Sequence, residues 1–551
     1  MENSSPTSPL SSWSWVLRQI RMVVPVGSKA EIKELSKLAV PAIMAQFMVF
    51  AVSFVSTIFC GHLGRTELAG VSLAIAVVNV TGVSIGSGLS SACDTLISQT
   101  FGSRNLLRVG IILQRAILIL ILACFPCWAI LINTEPILLA VRQDPEVARL
   151  AQMYVKIFMP ALPAAFMFSL QMRYLQNQGI IWPEVITGFV VNLLNALINY
   201  IVLYVLNLGV VGSAAANTIS QFSMVGILYI YIMCKGLHKA TWPGWSKECL
   251  QDWGSFIHLA IPSMLMLCVE WWTYEIGSFL AGLISEVELG AQSVVYELSN
   301  AAYMFPLGFS VAGSIRVGNA LGAGETEQAK LSAKLTMFCA MSVSICSAVL
   351  IGSLKDHIAS VFTYDEQIRE RVADVIAFYA PFVVLDALSV ACSGIIRGAG
   401  KQRVGAICNI LGYYGVGFPI GVPLMFAAKL GIKGLWTGLF ICVFLQSSFL
   451  IFYLVRMNWK KATEEAQIRV GVHLSSANAS SQADNPESSQ GQRDTLELVD
   501  REAGPAAKTV EDEVSHRTLV LHRGLALAVM LFILVAGIII NLLIMHYVMG
   551  K

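Results

Sequence analysis

Charged residues are scarce in this sequence. Asp, Glu, Lys and Arg make up only 13% of its 551 residues, and 56% of the residues are hydrophobic, whereas soluble domains usually carry about 25% charged residues. A chain with so few charges lacks the polar surface of a water-soluble globule. Its formal net charge of +2 also argues against a nucleic-acid-binding protein, which would present a strongly basic face.

Motifs for catalysis, nucleotide binding and metal binding are missing as well. The stretch GIIRGAGKQ, residues 394–402, has the wrong glycine spacing for a phosphate-binding loop and lacks the Ser or Thr that holds magnesium. Cys124 and Cys127 have redox or metal spacing, but they lie in an apolar run without nearby His or acidic ligands, which favours packing. We therefore expect no metal, no cofactor, no ATP-driven step and no enzyme activity.

Long apolar runs, by contrast, dominate the chain. Runs of about 20 residues fit helices that cross a hydrocarbon core about 30 Å thick, and backbone polar groups in lipid must be satisfied within such helices. The sequence therefore predicts an all-α integral membrane protein. A thirteenth run follows Arg523, and the first twelve lie near residues 35–58, 67–92, 108–132, 150–175, 184–206, 210–234, 254–281, 289–315, 332–353, 372–396, 404–428 and 433–456.

The distribution of Lys and Arg between the loops predicts the orientation. Cytoplasmic loops carry an excess of basic residues, and one side of this chain is clearly richer. It holds Arg18, Arg21, Lys29, Lys33, Lys37, Arg104, Arg108, Lys235, Lys239, Lys247, Arg316, Arg397, Lys401, Arg403, Arg456, Lys460 and Lys461. The other side has Arg65, Arg142, Lys355, Lys429 and Lys433. We expect a cytoplasmic N-terminus without a cleaved signal peptide and, after thirteen spans, an extracellular C-terminus.

Composition divides the chain into parts. Residues 458–520 are rich in Ser, Gln, Asp, Glu, Asn and Gly, and such a segment cannot bury enough apolar surface to fold, which predicts a disordered cytoplasmic linker. The other predicted parts are a cytoplasmic N-terminal segment at 1–34, an N-lobe at 35–235, an interlobe cytoplasmic loop at 236–253, a C-lobe at 254–457, and a last segment at 521–551 with the thirteenth helix.

An internal repeat relates the two six-span halves. A shift of 221 residues places LAVPAIMAQ on LAIPSMLML, pairing Pro41 with Pro262, and the same shift pairs Gly179 with Gly400. With a one-residue slip, Gly209 meets Gly431. Each half has an even number of spans, so the halves share one orientation. Parallel repeats of this kind, with a site between halves that rock to give alternating access, are typical of transporters.

Four acidic residues lie inside the predicted spans. Each costs roughly 2.5–3.5 kcal/mol at mid-helix, which makes it a functional candidate. At about 1.5 Å per residue, Glu275 and Glu297 lie at similar depth, Glu270 is deeper, and Asp386 is about 20 Å from the outer face. At the 221-residue shift the first half has Val49, Phe54, Ala76 and Ala165 instead. We expect these carboxylates to bind protons or cations, since burial without a partner disfavours the charged form. Pairing with a nearby Lys or Arg is the alternative.

Polar and aromatic side chains near these carboxylates are candidates for a substrate cavity. Aromatic faces beside carboxylates suit organic cations through cation–π attraction, although packing is an equally good interpretation. Gln46 and Asn79 in the first half could line the cavity or form interhelical hydrogen bonds. Asp94 is expected to be solvated or near Arg104. The predicted cavity residues are Gln46, Asn79, Trp271, Tyr274 and Tyr296.

Several motifs resemble one known family. The segments FCGHLG, LSSACDTLISQ, CVEWWTYEIGSF, ELGAQSVVYEL and VGNALGAG are similar to those of the multidrug and toxin extrusion (MATE) family, in its vertebrate branch of proton-coupled organic cation exchangers. The resemblance implies two parallel six-helix lobes around a central cavity, a thirteenth helix, and export of organic cations in exchange for protons at the plasma membrane, often apical in epithelia.

The resemblance also implies residue roles. The family's essential acidic residues match Glu270, Glu275 and Glu297, and the position of Asp386 usually holds Glu, so its shorter reach sets this chain apart. The family's thiol-sensitive cysteines match Cys60 and Cys127. We expect protons entering from outside to neutralise the carboxylates and expel the cation. The alternatives are sodium coupling, a flippase for lipid-linked substrates, which would want a basic cavity, and a receptor or membrane-embedded enzyme, which the repeat and the missing motifs disfavour.

Overall fold

The computed structural model describes residues 27–61, 63–362, 364–471 and 505–549, and within these ranges the chain forms helices and no strand. Twelve helices in this part of the chain are long and apolar enough to span a membrane, which confirms the predicted fold class. The long helices are Ser28–Cys60 (α1), Thr66–Gly102 (α2), Leu106–Ile132 (α3), Pro145–Gln176 (α4), Trp182–Val205 (α5), Val210–Lys235 (α6), Trp253–Ile284 (α7), Glu286–Gly322 (α8), Thr326–Ser353 (α9), Glu366–Ala399 (α10), Gln402–Phe426 (α11), Ile432–Arg456 (α12) and Pro505–Met549 (α13).

Helix α8 is 37 residues long but falls outside those twelve apolar helices. It carries polar side chains along its length, among them Gln292, Glu297 and Arg316. It packs against α1, α9 and α10 and against the end of α2. Protein rather than lipid therefore surrounds much of this helix, which is where a membrane protein tolerates polar groups. The span predicted at 289–315 is this enclosed helix.

The internal repeat is visible in the backbone. Gly179 and Gly400, paired by the 221-residue shift, both adopt left-handed conformations, with φ of 80° and 77°. Gly209 and Gly431 precede α6 and α12 with nearly the same pair of angles, φ 65° and ψ −134° against φ 63° and ψ −138°. Glycine is the residue that enters such conformations without a steric penalty. The two halves therefore turn in the same way at equivalent points.

The segment predicted to be a disordered linker contains helices at both of its ends. Trp459–Val470 is a helix that buries Trp459, Ala462, Ala466 and Val470, and α13 already begins at Pro505. Residues 472–504 lie outside the described part. Composition alone does not indicate the first helix, because its buried side chains recur at helical spacing within a stretch that is polar on average.

Helix α13 lies against the outside of the N-lobe. It packs along α3, where the Asn133 side chain donates to the Gly537 carbonyl at 3.1 Å and the Asn541 side chain donates to the Ile132 carbonyl at 3.0 Å. The Arg523 guanidinium lies 4.4 Å from the centre of the Trp253 ring. Within residues 515–548, most of the other α13 side chains are exposed, so this stretch contributes a lipid-facing surface and stands apart from the interior.

The two lobes approach most closely at the end that the positive-inside rule assigns to the cytosol. A Cβ atom built on Gly102 would lie 2.1 Å from the Asn319 carbonyl oxygen, and one built on Gly322 would lie 1.9 Å from the Gln99 carbonyl oxygen. These glycines allow the α2 and α8 backbones to touch. We call this contact between the ends of α2, α8 and α10 the cytoplasmic seam. On the orientation expected from the positive-inside rule, a closed seam corresponds to an outward-facing state.

The close backbone contact at the seam leads to a prediction for the substitution Gly322→Ala, which adds one methyl group. Gly322→Ala should still fold, because Ala favours a helix over Gly by about 1 kcal/mol, but its Cβ would hold the lobes apart. We expect transport in membrane vesicles to fall by about tenfold or more, since every 1.4 kcal/mol or so by which an obligatory state is destabilised lowers the rate about tenfold. The control is Gly226→Ala in α6, where a Cβ meets nothing within 4 Å. Unchanged transport by Gly322→Ala would contradict the close contact.

Candidate functional site

A cavity of about 280 Å³ lies between the lobes, on the outer side of the seam. Its N-lobe wall comes from the outer half of α1, the middle of α2, and α4 and α6, and its C-lobe wall comes from α7, α8 and the end of α10. Three of the predicted cavity residues line it: Gln46, Asn79 and Trp271. Trp271 is 36% exposed and is part of the lining, so an occupant of the cavity can contact it.

Asn79 lies at a local irregularity of α2. Residues Asn79–Val83 form a π-helical turn, which widens the helix and is often found at functional sites. The Val80 carbonyl accepts a hydrogen bond from the Trp272 ring nitrogen of α7 at 3.0 Å. The irregular turn therefore places Asn79 at the cavity wall and joins the two lobes beside it.

Arg173 and Arg397 line the inner end of the cavity, and both face the buried carboxylate of Asp94. The Asp94 side chain is 4% exposed and accepts from Arg173 Nη1 at 2.7 Å and from Asn177 Nδ2 at 3.2 Å. Arg397 Nε of the C-lobe is 3.7 Å from the same carboxylate. The expectation that Asp94 is solvated or near Arg104 is wrong. Arg397, assigned from sequence to a cytoplasmic loop, lines the cavity together with Arg173.

Glu270 and Asp386 form one acidic pair inside the C-lobe. Glu270 lines a small cavity of about 20 Å³ together with Tyr303 and Arg397. The Asp386 side chain is 7% exposed and is close enough to Glu270 for the two carboxylates to repel each other. Tyr274 lies within electrostatic reach of both carboxylates. Among the described residues that act electrostatically on this pair, the only base is Arg397. Arg397 also faces Asp94.

Glu275 and Glu297 form a second acidic pair. The two carboxylates interact electrostatically, in agreement with the similar depth expected from helix geometry. The Tyr296 hydroxyl donates to Glu275 Oε1 at 3.4 Å, and the Tyr274 and Tyr296 ring centres are 6.1 Å apart. Tyr274 and Tyr296 therefore lie with the carboxylates of the C-lobe and outside the lining of the central cavity, and their role in substrate binding stays a prediction.

The two predicted thiol sites are closed in this conformation. Cys60 and Cys127 are 0% and 1% exposed. The Cys60 sulfur is 2.8 Å from the Ser213 hydroxyl, inside the packing of the N-lobe. A reagent reaching either thiol would need a change in this packing.

The N-lobe contains a neutral polar network that was not predicted from the sequence. The Asn195 side chain donates to the Ser56 hydroxyl at 3.2 Å and accepts from the Ser220 hydroxyl at 2.7 Å. The Tyr154 hydroxyl accepts from Asn217 Nδ2 at 2.8 Å. Ser56, Tyr154 and Asn217 line the cavity. The signal was present as Asn, Ser and Tyr residues within the predicted spans, but attention to carboxylates alone passes over them.

A family model described as MatE matches this chain twice, over residues 41–201 and again over residues 262–422. The two matches are displaced by 221 residues, the shift of the internal repeat, and together they cover more than half of the chain. The chain belongs to the MATE family. This confirms the resemblance of the sequence motifs and shows that the repeat is the family's own.

Relatives in vertebrates align along nearly the whole chain. Multidrug and toxin extrusion protein 1 of Danio rerio is 61% identical, with 96% of this chain and 93% of the relative covered. Multidrug and toxin extrusion protein 2 of Mus musculus is 51% identical, with 96% and 94% covered. Protein 1 of Homo sapiens is 50% identical, with 93% and 94% covered. These relatives are transporters, so the MATE chain is a multi-pass membrane transporter and not an enzyme.

Solved MATE structures share the fold. The crystal structure of the eukaryotic MATE transporter AtDTX14 has a TM-score of 0.78 and 28% identity and covers 81% of this chain and all of that one. A MOP superfamily transporter from Pyrococcus furiosus has a TM-score of 0.69 at 18% identity, with 80% and 99% covered. The two-lobe architecture is therefore that of MATE transporters.

The buried charge cluster predicts a stability defect. Asp94→Asn would remove the carboxylate that Arg173 and Arg397 share, and breaking a buried pair in this way costs about 3–5 kcal/mol. We expect a lower midpoint of thermal unfolding in detergent, partly restored by adding Arg173→Gln. Glu146→Gln, in an exposed pair with Arg149, is the control and should leave the midpoint unchanged. An unshifted midpoint for Asp94→Asn would contradict the charged cluster.

Proposed function

We propose that this MATE transporter exports organic cations in exchange for protons, by alternating access of its two lobes. The observation that carries the proposal is the excess of acid in the C-lobe. Glu270, Asp386, Glu275 and Glu297 lie within α7, α8 and α10, and the one base near them, among the described residues that act on this group, is Arg397. Anionic charge in a low-dielectric interior must be compensated, and a proton or a cation supplies that compensation.

Competition between the two compensating charges supports exchange. A proton on one of these carboxylates removes the charge that holds a cation nearby, and loss of the proton restores it. Binding of one ligand therefore weakens binding of the other. If only the loaded protein can change orientation, each turnover moves a proton one way and a cation the other.

The cavity offers contacts suited to large cations. Trp271 is part of the cavity lining, and an aromatic face attracts an organic cation by cation–π interaction. The amide and hydroxyl groups of Gln46, Asn79 and Ser56 accept hydrogen bonds without selecting one substrate shape. Such a wall supports a range of drugs, toxins and metabolites as substrates. The vertebrate relatives are named for the extrusion of drugs and toxins.

The same family relationship supports a location in the plasma membrane, apical in epithelia, with a cytoplasmic N-terminus and an extracellular C-terminus. The density of basic residues at the seam end supports this orientation.

Two basic residues in the cavity wall favour an alternative function, a flippase for phosphate-bearing lipids. Arg173 and Arg397 lie at the inner end of the cavity and are basic groups that a phosphate would seek. Asp94 already engages Arg173 at 2.7 Å, and Glu270 and Asp94 face Arg397. The arginines are therefore compensated, which favours a cationic substrate over an anionic one.

Removing one carboxylate tests the exchange mechanism. Glu275→Gln keeps the shape of the side chain but cannot titrate. We expect cation exchange in vesicles to fall by about tenfold or more, because a positioned acid or base typically contributes about 10²-fold or more to a rate. The dependence of exchange on pH between 6 and 8 should also flatten. Glu146→Gln at the exposed start of α4 is the matched control. A Glu275→Gln protein with unaltered exchange and pH profile would contradict the assignment.

A further inference from the structure

The helix Trp459–Val470, which follows α12, lies across the cytoplasmic seam. Three of its side chains hold it to the C-lobe. The Thr463 hydroxyl is 2.7 Å from the Thr326 hydroxyl, Glu465 accepts from Lys401 Nζ at 2.6 Å, and Gln467 donates to the Gly322 carbonyl at 2.8 Å. The hydrogen bond from Lys401 lowers the pKa of the Glu465 carboxyl. This ion pair therefore persists at neutral and mildly acidic pH.

The last turn of the same helix reaches the N-lobe. Arg469 Nη1 donates to Gln99 Oε1 of α2 at 2.7 Å, and the Arg469 carbonyl accepts from Arg108 Nη2 of α3 at 3.0 Å. Arg469 is thus held from the N-lobe at both its side chain and its backbone. The helix is anchored on one lobe and hydrogen-bonded to the other.

Gly400 leaves room for the Arg469 guanidinium because it has no side chain. A Cβ on Gly400, at the end of α10, would lie 2.8 Å from Arg469 Nη1. Gln99, which receives the guanidinium, is itself 0% exposed and donates to the Gly398 carbonyl at 3.0 Å. The guanidinium therefore lies between the end of α10 in the C-lobe and α2 in the N-lobe, at the point where the backbones meet.

We propose that the helix Trp459–Val470 is a latch for the outward-facing state, and that Arg469 is the positioning residue that closes it. When the seam opens to the cytosol, α2 moves away from α10 and the bonds from Gln99 and Arg108 to Arg469 must break. The latch therefore sets the balance between the two orientations and does not touch the substrate. This inference rests on alternating access in the proposed function, but not on which ion drives it.

The experiment measures a distance across the seam. Nitroxide labels are attached to Asn105→Cys at the start of α3 and Glu327→Cys at the start of α9, both exposed cytoplasmic positions, in a protein whose exposed Cys234 and Cys346 are Ser. The full chain is reconstituted in lipid nanodiscs with and without a fluorescent organic cation at pH 6 and pH 8. Pulsed electron spin resonance gives the fractions with short and long distances.

Arg469→Gln should move the balance towards the long distance. Loss of a hydrogen bond to a charged group changes an equilibrium by about tenfold or more, and the variant should bind cations from the cytoplasmic side with a lower KM. The control is Glu464→Gln, an exposed position on the same helix, which should match the parent. Arg469→Lys, which keeps the charge, should restore part of the short-distance fraction.

Two outcomes separate the latch from the proposed function. If the parent shows one distance under all conditions, alternating access fails and the proposed function fails with it. If the parent shifts between two distances but Arg469→Gln matches it, only the latch is overturned. Should Arg469→Gln not fold, Glu465→Gln releases the partly exposed anchor on Lys401, and a shift of about twofold in the same direction is required for the latch to stand.

Discussion

The constraint on which this structure depends is the cost of charge inside a membrane. A buried carboxylate must be paired with a base or hold a proton. The chain meets this constraint in two ways. Asp94 is paired with Arg173, with Arg397 nearby, at the seam, which makes it a structural charge. The C-lobe acids outnumber the base near them, and the proposed function assigns the remaining compensation to protons and cations.

The positions of these charges connect the seam with the acidic residues of the C-lobe. Arg397 lines both the central cavity and the small cavity of Glu270, and its backbone carbonyl accepts from the Thr95 hydroxyl of the other lobe. The group that balances Glu270 therefore belongs to the same helix end that closes the seam. The latch helix adds Arg469 beside it. Compensation of the C-lobe acids and closure of the lobes are thus built from neighbouring parts of α2 and α10.

The sequence predicted what depends on local pattern. Apolar runs predicted the helices. Paired glycines such as Gly179 and Gly400 predicted the internal repeat, and their backbone angles agree. Carboxylates without a base in the same span indicated that the candidate ion-binding residues lie in the C-lobe. The approach of Arg397 to Asp94 could not be predicted, because the two residues lie 303 positions apart and only tertiary packing brings them together. The π turn at Asn79 and the latch helix escaped for a related reason, since each is stabilised by contacts with the other lobe. Arg173 could have been found as a base within a predicted span.

The central claim is that protons drive the exchange. The most direct measurement is uptake of a fluorescent organic cation into proteoliposomes of purified protein, with a proton gradient imposed in either direction, in the presence and absence of sodium. The account predicts that an acidic interior drives accumulation, that an acidic exterior drives release, and that sodium changes neither. Uptake that follows a sodium gradient and ignores the proton gradient would contradict it.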